Sequence, residues 1–308
     1  MKVYQRTISK SVSVTGVGLH SGKKITLSLK PMPSDSGVCF RRSDLIKDSN
    51  ILKADALTVG VTENNTSIGS GCSAIQTVEH LLSVLYALGI DNVLCEIDGP
   101  EVPIMDGSGA SFLYLLRQAG IQNLEKEKNI LLIKQKVKVS HLDKTASIEP
   151  HEGFCIESSI SFNHPVIGDQ SFKFDFSSSS FIEKIVRART FGLLRDVDSL
   201  RDKGLVKGGS LKNAIVLDDF KVLNSEGLRF QDEFIRHKIL DTVGDLSLLG
   251  YPIAGKVKSD KAGHFLNNQL CRKVLSDKNN FEIVKISELA SIQEDIYDID
   301  GFALPSLA

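Results

Sequence analysis

The amino-acid pattern predicts an α+β protein in two halves, each with several strands and about two long helices. Three observations carry this. Alternating apolar and polar runs recur along the whole chain. Four segments show helical periodicity. Two of those helices share the same sequel, a Leu-Gly stop and then a strand. That likeness hints at an internal duplication, although the spacings around the two units differ.

The elements follow in order. Val12 to Pro31 (VSVTGVGLHSGKKITLSLKP) alternates around glycines and reads as a hairpin of two strands. Further strands are expected at Val38–Phe40 and Ala56–Val61, then a polar, glycine-containing loop from Asn64 to Ser73. TVEHLLSVLYALG is helical and stops at Gly89, a suitable C-terminal cap. NVLCEIDG returns to strand alternation, and VPIMDGSG turns into the helix SFLYLLRQAG. The charged run Asn123–Asn129 (NLEKEKN) reads as a linker, dividing the chain into residues 1–127 and 128–308. Beyond it, KQKVKVSHLDKTASIEP and GFCIESSISF are strand-like, and a serine cluster opens SSSSFIEKIVRARTFGLLRD as a helix cap would. KNAIVLDD is a strand, and EFIRHKILDTVGDLSLLG is the strongest helix, closed by Gly250. GKVKSDKAGH leads from strand to loop, HFLNNQLCRKVLSD forms the last helix, and a loose tail is expected after Asp298.

Composition narrows the function classes. With 42% hydrophobic and 24% charged residues, the 308-residue chain reads as globular, with room for two domains. Lys and Arg (37) balance Asp and Glu (38), which gives no electrostatic footprint for nucleic acid or an acidic membrane. The longest apolar stretch, Leu81 to Ile90, is about half a membrane span. The start, MKVYQRTISKSV, has no apolar export signal. Five cysteines without a CxxC pair argue against a disulfide framework or thiolate zinc site. A reduced, cytoplasmic protein is the expectation.

Residues able to carry chemistry concentrate in a few places. His237 and Asp241 lie one turn apart on one helix face, with Asp245 a turn further and Ile235, Ile239, Val243 and Leu246 roughly opposite. Imidazole and carboxylate so spaced form a bidentate metal platform, and equally an ordinary surface i, i+4 pair. His80 stands in an otherwise apolar helix beside Glu79. A core histidine explains it as well as a ligand flanked by a general base. His264 and Lys261 occupy a strand-to-helix turn. His20 sits in a glycine-rich turn that fails the P-loop spacing by one residue and lacks its Ser or Thr. No GxSxG elbow occurs, and Cys72 lies on a loop poorly suited to a nucleophile.

Together, TGVGLHSGKK, TVEHL, EIDGPEVPIMDGSG, FNHP, RARTFG, GGSLKNAIVLDD, EGLRFQDEFIRHKILDTVGDL and AGHFLNN occur in one order along the chain. From about Gln5 to about Asn268 the sequence resembles the UDP-3-O-acyl-N-acetylglucosamine deacetylases, zinc enzymes of lipid A biosynthesis. The resemblance implies two duplicated α+β domains, each a sheet with two main helices, packed with the helices between the sheets. It implies one zinc ion per chain on His80, His237 and Asp241. Two imidazoles and a carboxylate would also accept iron(II). Glu79 becomes the general base, His264 the general acid, Asp245 its orienting partner and Thr190 a donor to the oxyanion. Lys238 and Lys261 face an anionic nucleotide-sugar, with His20 and Phe191 among the substrate contacts and Phe162 against the uracil. Leu194, Val197 and Leu200, at helical spacing after Thr190, line a passage for the fatty-acyl chain, with Gly208 and Gly209 allowing close backbone approach. Thr66 stands where some family members carry cysteine. The implied partner is a UDP-linked acylated amino sugar; no protein partner, nucleic acid or membrane span is implied. A non-catalytic binder of the same fold, or a metal amidase for another N-acetylated sugar, are the alternatives.

Overall fold

A computed structural model describes residues 2–45 and 51–289; the tail expected after Asp298 lies outside these. The mixed strands and helices form an α+β fold with six α-helices among the described residues. They are α1 (Glu79–Ala87), α2 (Ala110–Ala119), α3 (Ser178–Lys184), α4 (Leu194–Asp202), α5 (Glu233–Leu246) and α6 (His264–Leu275).

The first sheet orders its five strands Val12–Val17, Lys24–Pro31, Val93–Ile97, Val38–Arg42 and Leu52–Lys53. Successive pairings are antiparallel, antiparallel, parallel and antiparallel. In the second sheet the path runs Val137–His141, Lys144–Glu149, Ile253–Asp260, Phe154–Ser161 and Asp169–Asp175, with the same series of pairings. Two further strands, Asn129–Ile133 and Phe281–Lys285, extend this sheet beside Ile253–Asp260.

Four helices, α1, α2, α5 and α6, pack on the sheets or on one another. α2 packs on Val12–Val17, α5 on Phe154–Ser161 and Asp169–Asp175, α6 on Val137–His141 and Lys144–Glu149, and α1 runs along α5. One continuous apolar core therefore spans both sheets, from Leu27 and Phe40 through Leu81, Leu85, Ile239 and Val243 to Ile156 and Val257. Burying helices on two sides explains why α5 is enclosed almost all round. His237 and Asp241 do not stand on a solvated face, and the surface ion-pair reading of that spacing falls.

Two expected features differ. The charged run Asn123–Asn129 is not a free linker: Ile121–Glu127 pairs antiparallel with Tyr4–Ile8, and Asn129 begins the next strand. A two-stranded ribbon exposes much of its surface, so its polar composition mimics that of a linker. Ala56–Val61 forms turns in place of a strand, with Val59 alone bridging Ile68. The serine cluster does cap α3: Ser177 accepts from the Ser180 amide and Ser180 returns the bond, a capping box. No helix among the described residues is long and apolar enough to cross a membrane.

Candidate metal centre and active-site cavity

The two central helices bring the chemistry together. α1 contributes Glu79 and His80 from its first turn, and α5 contributes His237, Asp241 and Asp245 from successive turns. Gly244 allows the meeting, since a Cβ there would lie 2.1 Å from the Glu79 carbonyl oxygen. His237 Nε2 lies 3.2 Å and His80 Nε2 3.6 Å from Asp241 Oδ1. Two ligands at metal bonds of about 2.0–2.1 Å in tetrahedral array stand about 3.3–3.4 Å apart, so these separations fit one ion.

The surroundings prepare these atoms as ligands. His237 Nδ1 faces the Ala188 carbonyl at 3.1 Å. A carbonyl only accepts, so Nδ1 carries the proton and Nε2 is free to ligate. Burial holds His237 neutral, its pKa pushed down to about 3. Lys238 donates to Asp241 Oδ2 at 2.9 Å, while Oδ1 and His80 Nδ1 are buried with no hydrogen-bond partner. Against its own burial, Asp241 is held well below the usual carboxylate range by His237 and Lys238. Three buried side chains whose donor atoms lie within 4.8 Å of one another, one oxygen lacking any other partner, suit a divalent ion.

Around this centre the remaining groups are fixed by hydrogen bonds. Burial raises the Glu79 carboxyl above its ordinary value, and Glu79 Oε2 accepts from the Thr66 amide at 3.0 Å. His264 Nδ1 meets Asp245 Oδ2 at 2.9 Å. Asp245 also accepts from Asn267 Nδ2 at 2.8 Å and from the Thr66 hydroxyl at 2.6 Å. A carboxylate receiving three bonds is an acceptor only, so Nδ1 of His264 bears a proton. Burial disfavours the charged imidazolium, yet Asp245, Glu79 and Asp241 outweigh it and push the His264 pKa up to about 9.

The RARTFG segment performs three tasks with adjacent residues. The Ala188 carbonyl orients His237. Arg189 is buried in a pair with Glu233, Nε to Oε1 at 2.9 Å, which anchors the start of α5. Thr190 is pinned by backbone bonds to Gly107 and Ile215 and faces the cavity.

That cavity measures about 960 Å³. Glu79, His80, His237, Asp241, Thr190 and His264 line it, as do Lys238, Lys261, Phe162, Phe191, Leu194, Val197, Gly209 and His20. Asp245 lies outside it, behind His264. Lys238 stands 5.6 Å above the Phe191 ring and Lys261 pairs with Asp143 at 3.0 Å, so both expected anion contacts already have partners. Leu194, Val197 and Leu200 of α4 turn toward the cavity as their spacing predicts. The chain after α4 closes on the first half: a Cβ on Gly208 would lie 2.2 Å from the Gly18 carbonyl, and the Gly208 amide bonds to Leu19. Behind the lining residues His20 and Thr77, buried Glu101 accepts from the His20 and Ser21 amides and the Thr77 hydroxyl. Both His20 ring nitrogens are buried without hydrogen-bond partners.

Residues 5–276 match the family of UDP-3-O-acyl N-acetylglycosamine deacetylases. The chain belongs to that family. Among its relatives is the UDP-3-O-acyl-N-acetylglucosamine deacetylase of Myxococcus xanthus, 50% identical over 91% of this chain and 89% of that one. The enzyme of the same name from Acidithiobacillus ferrooxidans is 47% identical, covering 93% and 94% of the two chains. That of Mannheimia succiniciproducens is 45% identical over 99% and 98%. As a member of this deacetylase family, the chain is a hydrolase acting on amides.

Sequence reasoning missed the roles of Asn267, Glu101 and Thr66. Asn267 lies within the AGHFLNN motif, so its nearness to His264 was a usable signal. Thr66 offers no periodicity that points to α5, and Glu101 meets the His20 and Ser21 amides 81 and 80 residues away.

Proposed function

We propose that the protein removes the acetyl group from UDP-3-O-acyl-N-acetylglucosamine by zinc-dependent hydrolysis, releasing acetate and UDP-3-O-acyl-glucosamine, as a cytoplasmic step of lipid A biosynthesis. The observation that carries this is the convergence of His80, His237 and Asp241 in the cavity that Glu79 and His264 also line. A non-catalytic binder would have no use for that arrangement. The names of the relatives support the substrate, and five unpaired cysteines suit a reducing compartment.

His80, His237 and Asp241 would hold the ion, leaving a fourth position as catalytic sites do. Zinc bound there supplies Lewis acidity, polarising an amide carbonyl and acidifying water. Glu79, its carboxylate oriented by the Thr66 amide, takes the proton from the attacking water. The Thr190 hydroxyl donates to the oxygen that gains charge as the carbonyl becomes tetrahedral. His264, kept protonated by Asp245, gives its proton from Nε2 to the departing sugar nitrogen, so that the C–N bond breaks to an amine and acetate. Lys238 and His20 provide polar contacts for the nucleotide-sugar, Lys261 a positive charge, and Phe162 a face for uracil. The apolar wall of α4 receives the acyl chain.

Acetate release from the purified nucleotide-sugar, measured on metal-stripped protein and after adding back zinc or iron(II), tests the reading. Turnover that returns with one equivalent of ion is expected. Turnover that survives chelation, or a preference for a different N-acetylated sugar, would overturn it.

A further inference from the structure

Thr66 lies on the loop ahead of α1 and is 1% exposed. Its two polar donors go to two different functional groups. The amide bonds to Glu79 Oε2 at 3.0 Å, and the hydroxyl to Asp245 Oδ1 at 2.6 Å. Glu79 belongs to α1 and Asp245 to α5, so one residue ties carboxylates from the two halves of the site. The loop itself is fixed: the Val78 amide returns a bond to the Thr66 carbonyl, and Ile68 pairs with both Val59 and Ile75.

We propose that Thr66 is a positioning residue for the deacetylation, setting the base Glu79 and the His264–Asp245 pair in register with each other. The inference rests on the roles given to Glu79 and His264 above. Its physical basis is the two-oxygen geometry of Asp245. With Oδ2 occupied by His264 and Asn267, the rotation of the carboxylate is decided at Oδ1, and Thr66 is its partner there. Loss of the hydroxyl frees that rotation, loosens His264, and leaves a buried oxygen unpaired. The hydrogen bonds of the Thr66 amide and hydroxyl go to Glu79 and Asp245 and not to His80, His237 or Asp241, so it acts through those two carboxylates.

The test compares Thr66→Val, which keeps the shape and deletes the hydroxyl, with Thr66→Ser, which keeps the hydroxyl and deletes the methyl. Thr66→Ala provides a second deletion should the valine protein not fold. Each is read for kcat, KM, metal content and Tm. Thr66→Val should lower kcat by roughly 10- to 100-fold, in the range for partners behind a metal site, with metal content unchanged and KM within about threefold. Thr66→Ser should restore kcat to within about threefold of wild type. In an Asp245→Asn background, Thr66→Val should cost less than about threefold more, since the hydroxyl acts through that carboxylate. Full kcat in Thr66→Val, equal losses in the serine and valine proteins, or additive losses with Asp245→Asn would each overturn the proposal. A wild-type protein that releases no acetate would instead overturn the deacetylase reading on which it rests.

Discussion

Gly244 of α5 and Glu79 of α1 meet backbone to backbone, with space for a hydrogen atom and none for a methyl: a Cβ on Gly244 would lie 2.1 Å from the Glu79 carbonyl oxygen. The contact sets the separation of the helices that carry His80 on one side and His237 and Asp241 on the other. Gly244→Ala must push them apart or strain both. A loss of about 1–3 kcal/mol of stability is expected, as for overpacked cores, together with weaker metal binding. Thermal unfolding and metal titration on the same preparation check this. An alanine protein with unchanged Tm and metal affinity would mean the helices can shift at no cost.

The metal site and the base separate cleanly by substitution. His237→Ala and Asp241→Ala should each lower bound metal below one equivalent, because each removes a ligand from a buried set. Glu79→Gln should keep the metal and lose roughly 100- to 10,000-fold in turnover, because its carboxylate is read as base and not ligand. Metal loss on Glu79→Gln would require reassigning it.

What the sequence made legible, and what it hid, divides by distance along the chain. The i, i+4 spacing of His237 and Asp241 and the Glu79–His80 neighbourhood are local, so the platform could be read. Their burial could not, because it depends on a second sheet closing over α5. The two five-strand paths share one series of pairings, a long-range regularity that no local spacing reveals. The long stretch from Phe176 to Asp232, which carries α3, α4 and Thr190, stands between the strand Asp169–Asp175 and α5 and makes the spacings of the two halves unequal. Asn123–Asn129 misled because charged edge ribbons and linkers share a composition. Thr66 stayed silent because its partner Asp245 is 179 residues away.

His264 gives the pH dependence its sign. The folded protein keeps it protonated to about pH 9, whereas an unfolded histidine releases its proton near pH 6.5. The stability it contributes is whole below about 6.5 and is lost as pH rises toward 9. Over the same upper range the rate should fall as the acid loses its proton. Tm measured from pH 6 to 10 should show a decline that His264→Gln removes, and the residual rate of that variant should lack the alkaline limb. An alkaline limb unchanged in His264→Gln would assign it to another group.

Glu233 is fully buried and receives the Arg189 guanidinium together with the amides of Arg189 and Arg229. Glu233→Ala leaves the two amides unpaired and the buried Arg189 guanidinium with only Glu226 and the Gly227 carbonyl as partners, so a loss of about 1–3 kcal/mol is expected. Denaturant unfolding measures it. A loss below about 1 kcal/mol would mean that water replaces the carboxylate.

The acyl chain is expected to meet α4. Leu194, Val197 and Leu200 line the 960 Å³ cavity that also contains Glu79 and His264, and Leu194 is 48% exposed, an apolar cost a solvated helix would avoid. None of the residues of α4 is buried, so the helix is not held chiefly by packing on its own half. Burying a chain of about ten methylenes could contribute up to roughly 8 kcal/mol before the costs of ordering it, enough to dominate affinity. Val197→Trp should fill this wall. KM for the acylated substrate should then rise steeply, metal content should not change, and the slow turnover of a substrate lacking the chain should barely move. Kinetics on the paired substrates decide it: an equal loss on both would make α4 a structural element that the acyl chain does not touch.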